Sequence, residues 1–456
     1  IESNFSTTAS KASRWIPIAP GTEAALALGM AHVIISEGAY DKKFVDRHCF
    51  GFEDWEDDDG RQHQGFKSVV LSKYSPPSVE RITGVSVKEI EGLAHRFATA
   101  EHGLAVGGGG RGEHYNGLYE LMAVHSLNAL IGNINRPGGV TVKAAAPLAS
   151  LPEVEMDDEA KRGYSVGRID GAGGEQFPFA SSLPGNLEAA DVELLLVHEA
   201  NPLYCLPDQQ VVEQLYEKVP SIISLSSYMD ESTTRADLIL PLSTRLERWD
   251  DQLAAAELQY AVYGLTSPVI SPIYDTKSAG DILIEAAGKL GGTVAGSFRW
   301  RSVEKVLEER ARGLYDSGRG VIDSPDLYAN TEVVSDIPSY SSFRAMWSKL
   351  EEKNSWIDTH YEYGDPEKVL KTPSGKFEFF SRNLQEAYGF DEDAKCMPHY
   401  EAAEGKNKDF PLIVMTEDKL LLGDDGKGSP PFLLKQLDET VLKENDLFVQ
   451  INPITA

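Results

Sequence analysis

A cluster of glycines with charged neighbours is the part of the sequence whose residue types and spacing most suggest chemistry. Gly107, Gly109 and Gly112 satisfy G-x-G-x-x-G, the spacing at which a backbone can approach a pyrophosphate. Arg111 and His114 lie in the same loop and make it suitable for an anionic ligand. The acidic residue that a dinucleotide loop requires after the next strand is missing at the expected distance. The cluster therefore indicates either an anion-binding loop or a glycine-rich turn at the top of a sheet.

Polar residues at a predicted helix start and after predicted strands could also bind a polar ligand. In 20-PGTE-23, free backbone N–H groups stand at the start of a helix, and Glu23 could accept hydrogen bonds from a base amino group. Glu199 and Asn201 follow a buried strand, and 228-YMDESTTRAD-237 lies between two further buried strands. The alternative interpretations are an ordinary capped helix, a proline turn and a solvated loop.

These residues are positioned by elements that alternate between helix and strand. Thr22 is a predicted N-cap, and Ser86 with Glu89 has capping-box spacing. Predicted helices cover 23–37, 76 onward, 87–100, 115–131 and 209 onward, and predicted strands cover 104–106, 192–197, 221–226 and 237–241. This order is typical of a parallel sheet, which binds ligands at the carboxyl ends of its strands. Apolar runs at 410–416 and 446–451 lack a helix between them and predict the start of a β-rich domain.

Length and composition limit the possible classes of protein. The 456 residues carry a formal net charge of −28, with 41% hydrophobic and 25% charged residues, as in a soluble globular protein of several domains. A strongly negative chain repels phosphate backbones, so no nucleic-acid partner is expected. The longest apolar runs are shorter than a membrane span, so no direct span is predicted.

Cysteine and histidine indicate no metal site. Cys49, Cys205 and Cys396 are widely separated, and each is predicted to be a small buried hydrophobe. The histidines lack metal-ligand spacing, so no metal ligand is named. Ile1 begins in ordered-looking sequence, and the chain ends just where a strand gives way to a predicted helix start. We therefore expect an internal piece of a longer polypeptide.

Long segments in order along the chain resemble the molybdopterin oxidoreductases of the dimethyl sulfoxide reductase family. They are 16–45, 74–98, 116–140, 194–208, 226–241, 372–381 and 449–456. The shorter 246-LERWDD-251 and 272-PIYDTKSAGD-281 most resemble the branch containing polysulfide, thiosulfate and tetrathionate reductases. That branch also contains molybdopterin-like subunits of menaquinone reductase and of alternative complex III. The resemblance is much more specific for the family than for a substrate.

The resemblance implies an α/β layout with a bound cofactor. It implies two parallel-sheet, Rossmann-like nucleotide-binding domains, at 1–184 (lacking its N-terminal part) and 185–405, and the start of a C-terminal β-barrel domain at 406–456. Each α/β domain of the family holds one half of a bis(molybdopterin guanine dinucleotide) with molybdenum or tungsten. The ligands of a [4Fe-4S] cluster and of the metal precede the point where this chain starts.

Individual residues also receive roles from the resemblance. The implied cofactor-binding residues are Gly21, Thr22 and Glu23 for one guanosine, Glu199, Asn201, Asp230 and Thr233 for the other nucleotide, and Asn452 near the pterins. The family usually has Asp where this chain has Glu23. Arg111 and His114 would line the funnel toward the metal, which makes them the candidate catalytic residues.

The implied function is that of a large subunit in a respiratory iron–sulfur complex. It would move electrons between a quinone pool or redox partner and a small, sulfur-type substrate. An iron–sulfur electron-transfer subunit and a membrane quinone-interacting subunit would be its partners, and the periplasm its location. A second reading is a molybdenum-free scaffold in a membrane menaquinone-reducing complex. A third is a nicotinamide dehydrogenase that uses the glycines at 107–112.

Overall fold

The computed structural model describes most of the chain. The described residues are 1–107, 117–142, 144–165, 192–206, 208–253, 258, 260–322, 340–388, 393–402, 412, 442–443, 446–447, 449 and 451. Arg111, His114 and Asn452 lie outside them. Within the described part, no helix is both long and apolar enough to span a bilayer.

The first part of the chain is built around one buried helix. Its helices are α1 Thr7–Lys11, α2 Glu23–Ser36, α3 Lys42–His48, α4 Phe66–Lys73, α5 Pro76–Thr83, α6 Val87–Thr99 and α7 Gly117–Leu130. Helix α2 is buried around most of its circumference, and α4, α5, α6 and α7 pack against it. The apolar sequence of α2 predicts this central position, since a helix that is hydrophobic on all sides must be covered on all sides.

Local end signals set the bounds of these helices. The Ser86 side chain accepts a hydrogen bond from Glu89 N, which confirms the predicted cap of α6. Pro76 occupies the first turn of α5. Gly38 after α2 and Gly132 after α7 have φ angles of 67° and 66°, the left-handed conformation that ends a helix. The predicted helix positions are therefore confirmed to within a few residues.

The predicted strand at 104–106 is wrong. The N–H of Ala105 donates to Asn128 Oδ1 and its C=O accepts from Asn128 Nδ2, both at 2.8 Å. The side-chain amide of a fully buried Asn128 thus replaces a neighbouring strand. A Cβ at Gly107 would lie 2.9 Å from Leu121 on α7, so this glycine allows close packing on the helix. Gly109 and Gly112 lie outside the described residues.

A parallel sheet opens the second part of the chain. Strands β4 Leu194–His198, β5 Ser221–Ser226 and β6 Leu238–Pro241 pair in parallel in the order β4-β5-β6. In this stretch of the chain the helices are α8 Asp158–Ser165, α9 Pro202–Cys205 and α10 Gln209–Lys218. Val212 and Leu215 of α10 share a core with Val197 and Ile222 of the sheet. The predicted parallel sheet and its strands are confirmed here.

A second, antiparallel sheet follows that the sequence pattern does not predict. Its strands are β7 Asp250–Leu253, β8 Ala261–Thr266, β9 Val321–Ile322 and β10 Ser355–Asp358, in the order β7-β8-β10-β9. The helices of this region are α11 Ala279–Leu290, α12 Gly292–Ser297, α13 Val303–Asp316 and α14 Phe343–Lys353. Tyr263 and Trp356 are buried in its core with Leu314 of α13 and Leu350 of α14.

The chain then returns to the first core. The elements here are α15 Pro366–Val369 and α16 Arg382–Tyr388, with β11 Phe377–Glu378 paired in parallel to β1 Cys49–Phe50. Phe379, Phe380 and Met397 are buried against the first-part helices. Phe379, Phe380 and Met397 thus belong to the first core, although the resemblance places them in the domain at 185–405. The domain bounds themselves stay a prediction.

A buried histidine fastens this returning segment. His63 lies in the hairpin of β2 Trp55–Glu56 and β3 Gln62–His63. Its Nδ1 is 2.7 Å from Asp393 Oδ1 and its Nε2 is 3.1 Å from Asp57 Oδ2. Burial lowers the pKa of His63, but the hydrogen bonds to the two carboxylates outweigh burial and raise the pKa above its ordinary value. We call these three residues the His63 clamp.

The last described residues form one short hairpin. Strands β12 Leu442–Lys443 and β13 Asp446–Leu447 pair antiparallel. They make no closed barrel with any other strand in the described ranges. The fold is mixed α/β with parallel pairing, and the barrel stays a prediction.

Candidate functional site: a helix start and a sheet edge

The first candidate region is the start of α2. Gly21 is exposed and has a φ angle of 70°. Thr22 is 5% exposed, and its Oγ1 donates to Ala19 O at 2.6 Å rather than capping the helix. The first N–H groups of a helix have no intrahelical acceptor, so they attract anionic or carbonyl oxygen. Glu23 occupies this first turn. The helix start can therefore offer backbone donors beside one carboxylate acceptor.

The returning segment 397–401 brings Tyr400 near enough to the helix start for the Glu23 carboxylate to influence it. Tyr400 N donates to the Tyr74 hydroxyl at 2.9 Å. Burial and the nearby Glu23 carboxylate raise the pKa of Tyr400. The His399 ring lies against Tyr119 of α7, with the ring centroids 3.8 Å apart and the planes tilted by 44°. No motif in the sequence signals Tyr400, because its position depends on packing between segments far apart in the chain.

The second candidate region is the carboxyl edge of the parallel sheet. Glu199 directly follows strand β4, and the chain between β5 and β6 carries the 230–233 loop beside it. Asn201 is 2% exposed, and its Oδ1 accepts from Ser232 Oγ at 2.7 Å and from Ser232 N at 3.2 Å. Its Nδ2 donates to Glu231 Oε2 at 2.7 Å, and this bond lowers the pKa of Glu231. We call Asn201, Glu231 and Ser232 the Asn201 clamp.

Two further bonds fix the same loop. Asp230 Oδ1 accepts from Thr233 N at 2.7 Å. The hydroxyls of Thr233 and Ser224, a residue of β5, are 2.9 Å apart. Thr233 is 1% exposed, so its hydroxyl serves to anchor the loop to the strand. The edge is thus held in one arrangement by hydrogen bonds among an amide, hydroxyls and two carboxylates.

The structure brings some predicted residues together and separates others. Glu199, Asn201, Asp230 and Thr233 meet at the sheet edge, while Gly21–Glu23 form a region of their own on the first core. Asn201 and Thr233 are occupied by internal bonds, so they shape the edge. The roles of all these residues stay predictions, as do those of Arg111, His114 and Asn452.

Sequence reasoning missed the residues that complete the edge. Ser232 and Glu231 lie inside 228-YMDESTTRAD-237, whose density of polar side chains is the only signal for them. Arg248 also reaches the edge, with its NH1 3.3 Å from Glu199 Oε1. Its charge in 246-LERWDD-251 does not by itself indicate this partner.

The three cysteines differ in burial. Cys49 and Cys396 are buried as predicted, and burial raises the pKa of their thiols to about 12 and about 11, so both are neutral. The prediction for Cys205 is wrong, since it ends the short helix α9 and is exposed. Within the described ranges, no three His, Cys, Asp or Glu side chains converge as a metal site would require.

A family assignment follows from comparison with known proteins. The family model for molybdopterin oxidoreductases matches residues 1–289. The chain belongs to the molybdopterin oxidoreductase family. This match includes both the helix start and the sheet edge, and it confirms the resemblance seen in the sequence.

Individual relatives come from different branches of the family. The menaquinone reductase molybdopterin-binding-like subunit of Nitratidesulfovibrio vulgaris is 34% identical over 62% of this chain and 36% of that protein. The arsenate respiratory reductase molybdopterin-containing subunit of Shewanella sp. is 24% identical over 100% of this chain and 60% of that protein. Dimethyl sulfoxide reductase of Escherichia coli is 27% identical over 83% of this chain and 47% of that protein. This molybdopterin oxidoreductase chain therefore spans between about a third and three fifths of these relatives.

A solved structure shares the fold. Acetylene hydratase from Pelobacter acetylenicus superimposes with a TM-score of 0.62 at 21% identity, over 87% of this chain and 52% of that chain. At this identity the likeness concerns the fold alone. It agrees with the mixed α/β architecture of the molybdopterin oxidoreductase chain.

Proposed function

We propose that the chain is the cofactor-binding large subunit of a molybdopterin-dependent oxidoreductase that holds a bis(molybdopterin guanine dinucleotide). The observation that carries this proposal is the sheet edge, where residues of two separate segments, Glu199–Asn201 and Asp230–Thr233, meet at the carboxyl ends of parallel strands. In parallel α/β sheets this edge is where ligands bind. The family match supports the nature of the ligand.

The side chains of both regions fit the nucleotide parts of such a cofactor. The start of α2 offers N–H groups to phosphate oxygens and the Glu23 carboxylate to a guanine edge. A side chain added at Gly21 would meet no atom within 4 Å, so the approach to this helix start is open. Glu199 and Asp230 offer carboxylate acceptors, which suit ribose hydroxyls or base amino groups. When bound, the molybdenum or tungsten centre supplies the redox chemistry, and the protein supplies binding and orientation.

The proposed substrate, electron-transfer partners and location concern the whole complex. The substrate is a small molecule of sulfur type, and electrons pass to or from a quinone pool or another redox partner. We place a [4Fe-4S] cluster outside this chain and Arg111 and His114 in the access funnel. An iron–sulfur subunit and a membrane quinone-interacting subunit are the proposed partners, in the periplasm. The menaquinone reductase and dimethyl sulfoxide reductase relatives support this setting.

A second candidate function is a scaffold subunit without molybdenum in a menaquinone-reducing complex. The 34% identity to a subunit described as molybdopterin-binding-like favours it. Here the fold and the interfaces would matter, and the funnel residues would have no role in turnover.

Elemental and nucleotide analysis of the purified full-length protein tests the proposal. A cofactor-binding subunit should contain about one metal atom, molybdenum or tungsten, and release about two guanine nucleotides per chain on acid hydrolysis, because each α/β domain holds one. Nucleotide without metal would favour the scaffold. Absence of both from protein purified with its partner subunits would contradict the cofactor-binding proposal.

A further inference from the structure

Arg248 joins three groups at the carboxyl edge of the parallel sheet. Its NH1 lies 3.3 Å from Glu199 Oε1 and 3.4 Å from Ser243 O, and its NH2 lies 3.3 Å from Asp250 Oδ2. The Arg248 side chain is 14% exposed, whereas those of Glu199 and Asp250 are 34% and 42% exposed. The guanidinium is therefore mostly covered, and both carboxylates remain accessible to a ligand.

The position of Arg248 in the chain makes it a link between the two sheets. Glu199 follows β4 of the parallel sheet, and Asp250 begins β7 of the antiparallel sheet. Without the guanidinium, the two carboxylates would face each other with like charge, and each would turn toward solvent. A planar, always charged group with several fixed donors suits this position better than a flexible ammonium.

The backbone of Glu199 is also unusual. Its φ angle is 45°, in the left-handed region that non-glycine residues rarely adopt. Its N–H donates to Leu225 O at 2.9 Å, so the backbone is bonded to β5 while the chain turns. The strained turn directs the side chain, and the bond to Arg248 then restricts its carboxylate. Strain of this kind concentrates at ligand sites.

The charges of the edge also indicate which part of a nucleotide fits there. Glu199, Asp230 and Glu231 are all acidic, and Arg248 is already bonded to carboxylates. Such an edge repels phosphate and favours groups that donate hydrogen bonds, such as ribose hydroxyls and base N–H groups.

We propose that Arg248 is a positioning residue that holds the Glu199 carboxylate for the nucleoside part of the cofactor. This inference rests on the proposed nucleotide-binding function. Arg248 bonds one carboxylate oxygen, Oε1, and thereby aims Oε2 at a ribose hydroxyl or base N–H. Arg248 itself does not touch the nucleotide.

The test measures guanine nucleotide released by acid from the full-length protein, as moles per chain. Glu199→Gln and Arg248→Gln should each lower retention of the sheet-edge nucleotide about tenfold, the effect of one charge-assisted hydrogen bond. Arg248→Lys should restore part of this retention, since it keeps the charge but not the fixed geometry. Arg245→Gln removes the same charge from an exposed position three residues away and should retain the wild-type content.

The double variant separates positioning from a general structural effect. If Arg248 acts through Glu199, then Arg248→Gln should cause no further loss in a Glu199→Gln background. An equal loss in both backgrounds, or wild-type content in Arg248→Gln, would overturn the assignment. If Arg248→Gln does not fold, Arg248→Lys takes its place in the same cycle. A wild-type protein without guanine nucleotide would instead refute the proposed function itself.

Discussion

The two candidate regions are stabilised in different ways. At the sheet edge, the candidate residue Asn201 is itself part of the clamp that joins two loops. On the first core, the joining contact is the His63 clamp, and its residues are distinct from Gly21–Glu23 at the start of α2. The Asn201 clamp consists of a neutral amide, a hydroxyl and one carboxylate. The His63 clamp, in contrast, depends on an ionisable imidazole ring. Ligand retention and stability should therefore be coupled at the sheet edge and separable on the first core.

The largest effect is expected from Asn201→Ala. It removes three hydrogen bonds of a buried amide and leaves Ser232 without its acceptor, which should cost about 3 kcal/mol of unfolding free energy. Nucleotide content should fall together with stability. Denaturant unfolding of the full-length protein measures the first quantity and acid release the second.

Thr234→Ala is the matched control for this prediction. Thr234 is exposed in the same loop, and its hydroxyl donates only to Glu231 O among the bonds of the described residues. It should lose less than about 1 kcal/mol. Equal losses in Asn201→Ala and Thr234→Ala would show that the Asn201 clamp does not hold the edge.

Above about pH 6, a pH-dependent effect is expected on the first core, because the lowered pKa of Glu231 at the sheet edge affects stability only at acid pH. Because the pKa of His63 is raised in the folded protein, its contribution to stability is complete below about pH 6.5, the unfolded value, and is lost as pH rises through the raised pKa. Asp393→Asn removes one of the two carboxylates and should flatten this decline. Melting temperatures of both proteins between about pH 6 and pH 9 measure the difference.

Glu37→Gln is the control for Asp393→Asn, because it also removes a carboxylate that lies beside a histidine. Glu37 Oε2 lies 2.8 Å from His95 Nε2, and both side chains are about half exposed, so this pair should contribute little. An unaltered pH profile in Asp393→Asn would mean that the His63 clamp does not titrate in this range.

Glu23→Gln should affect ligand retention without affecting folding. It removes the charge of one acceptor, so guanine nucleotide retained by the first core should fall about tenfold while the melting temperature stays the same. Glu37→Gln, beyond the other end of α2, should retain the wild-type content. If Glu23→Gln instead lowered the melting temperature and left the nucleotide content normal, ligand retention and stability would not be separable on the first core as expected.

Gly21→Ala should have the smallest effect. The φ angle of 70° costs alanine about 1 kcal/mol, although the added Cβ meets no atom within 4 Å. Gly38→Ala provides the same backbone cost at the far end of α2, where φ is 67° and space is also open. Any loss of nucleotide in Gly21→Ala beyond that in Gly38→Ala measures how closely the ligand approaches Gly21. Equal content would place the ligand away from this residue.

Local elements of the fold could be predicted because their causes lie within a few residues. Ser86 and Glu89 form a cap three residues apart, and Gly38 and Gly132 end helices by their own backbone conformation. The strands β4, β5 and β6 follow from short apolar runs with a helix between the first two. The order of long motifs identified the family, and residues 1–289 match it.

Other elements depended on partners that the sequence pattern does not specify. The run 104–106 has strand-like residues, but a strand exists only where another strand supplies its hydrogen bonds. The sequence pattern does not predict the antiparallel sheet because β9 has only two residues and the central pair, β8 with β10, joins segments far apart in the chain. Cys205 was expected to be buried like the other cysteines, yet its place at the end of a four-residue helix leaves it exposed.

The sequence by itself determined the positions of helices α2, α5, α6, α7 and α10, the parallel strands β4, β5 and β6, and the family to which the chain belongs. Only the tertiary structure decided that Asn128 replaces a strand beside Ala105, that Asn201 closes the sheet edge and that Asp393 fastens His63. These partners are 23, 31 and 330 residues apart. A buried polar group takes whichever partner packing brings within hydrogen-bond distance, and that choice is made only when the segments come together.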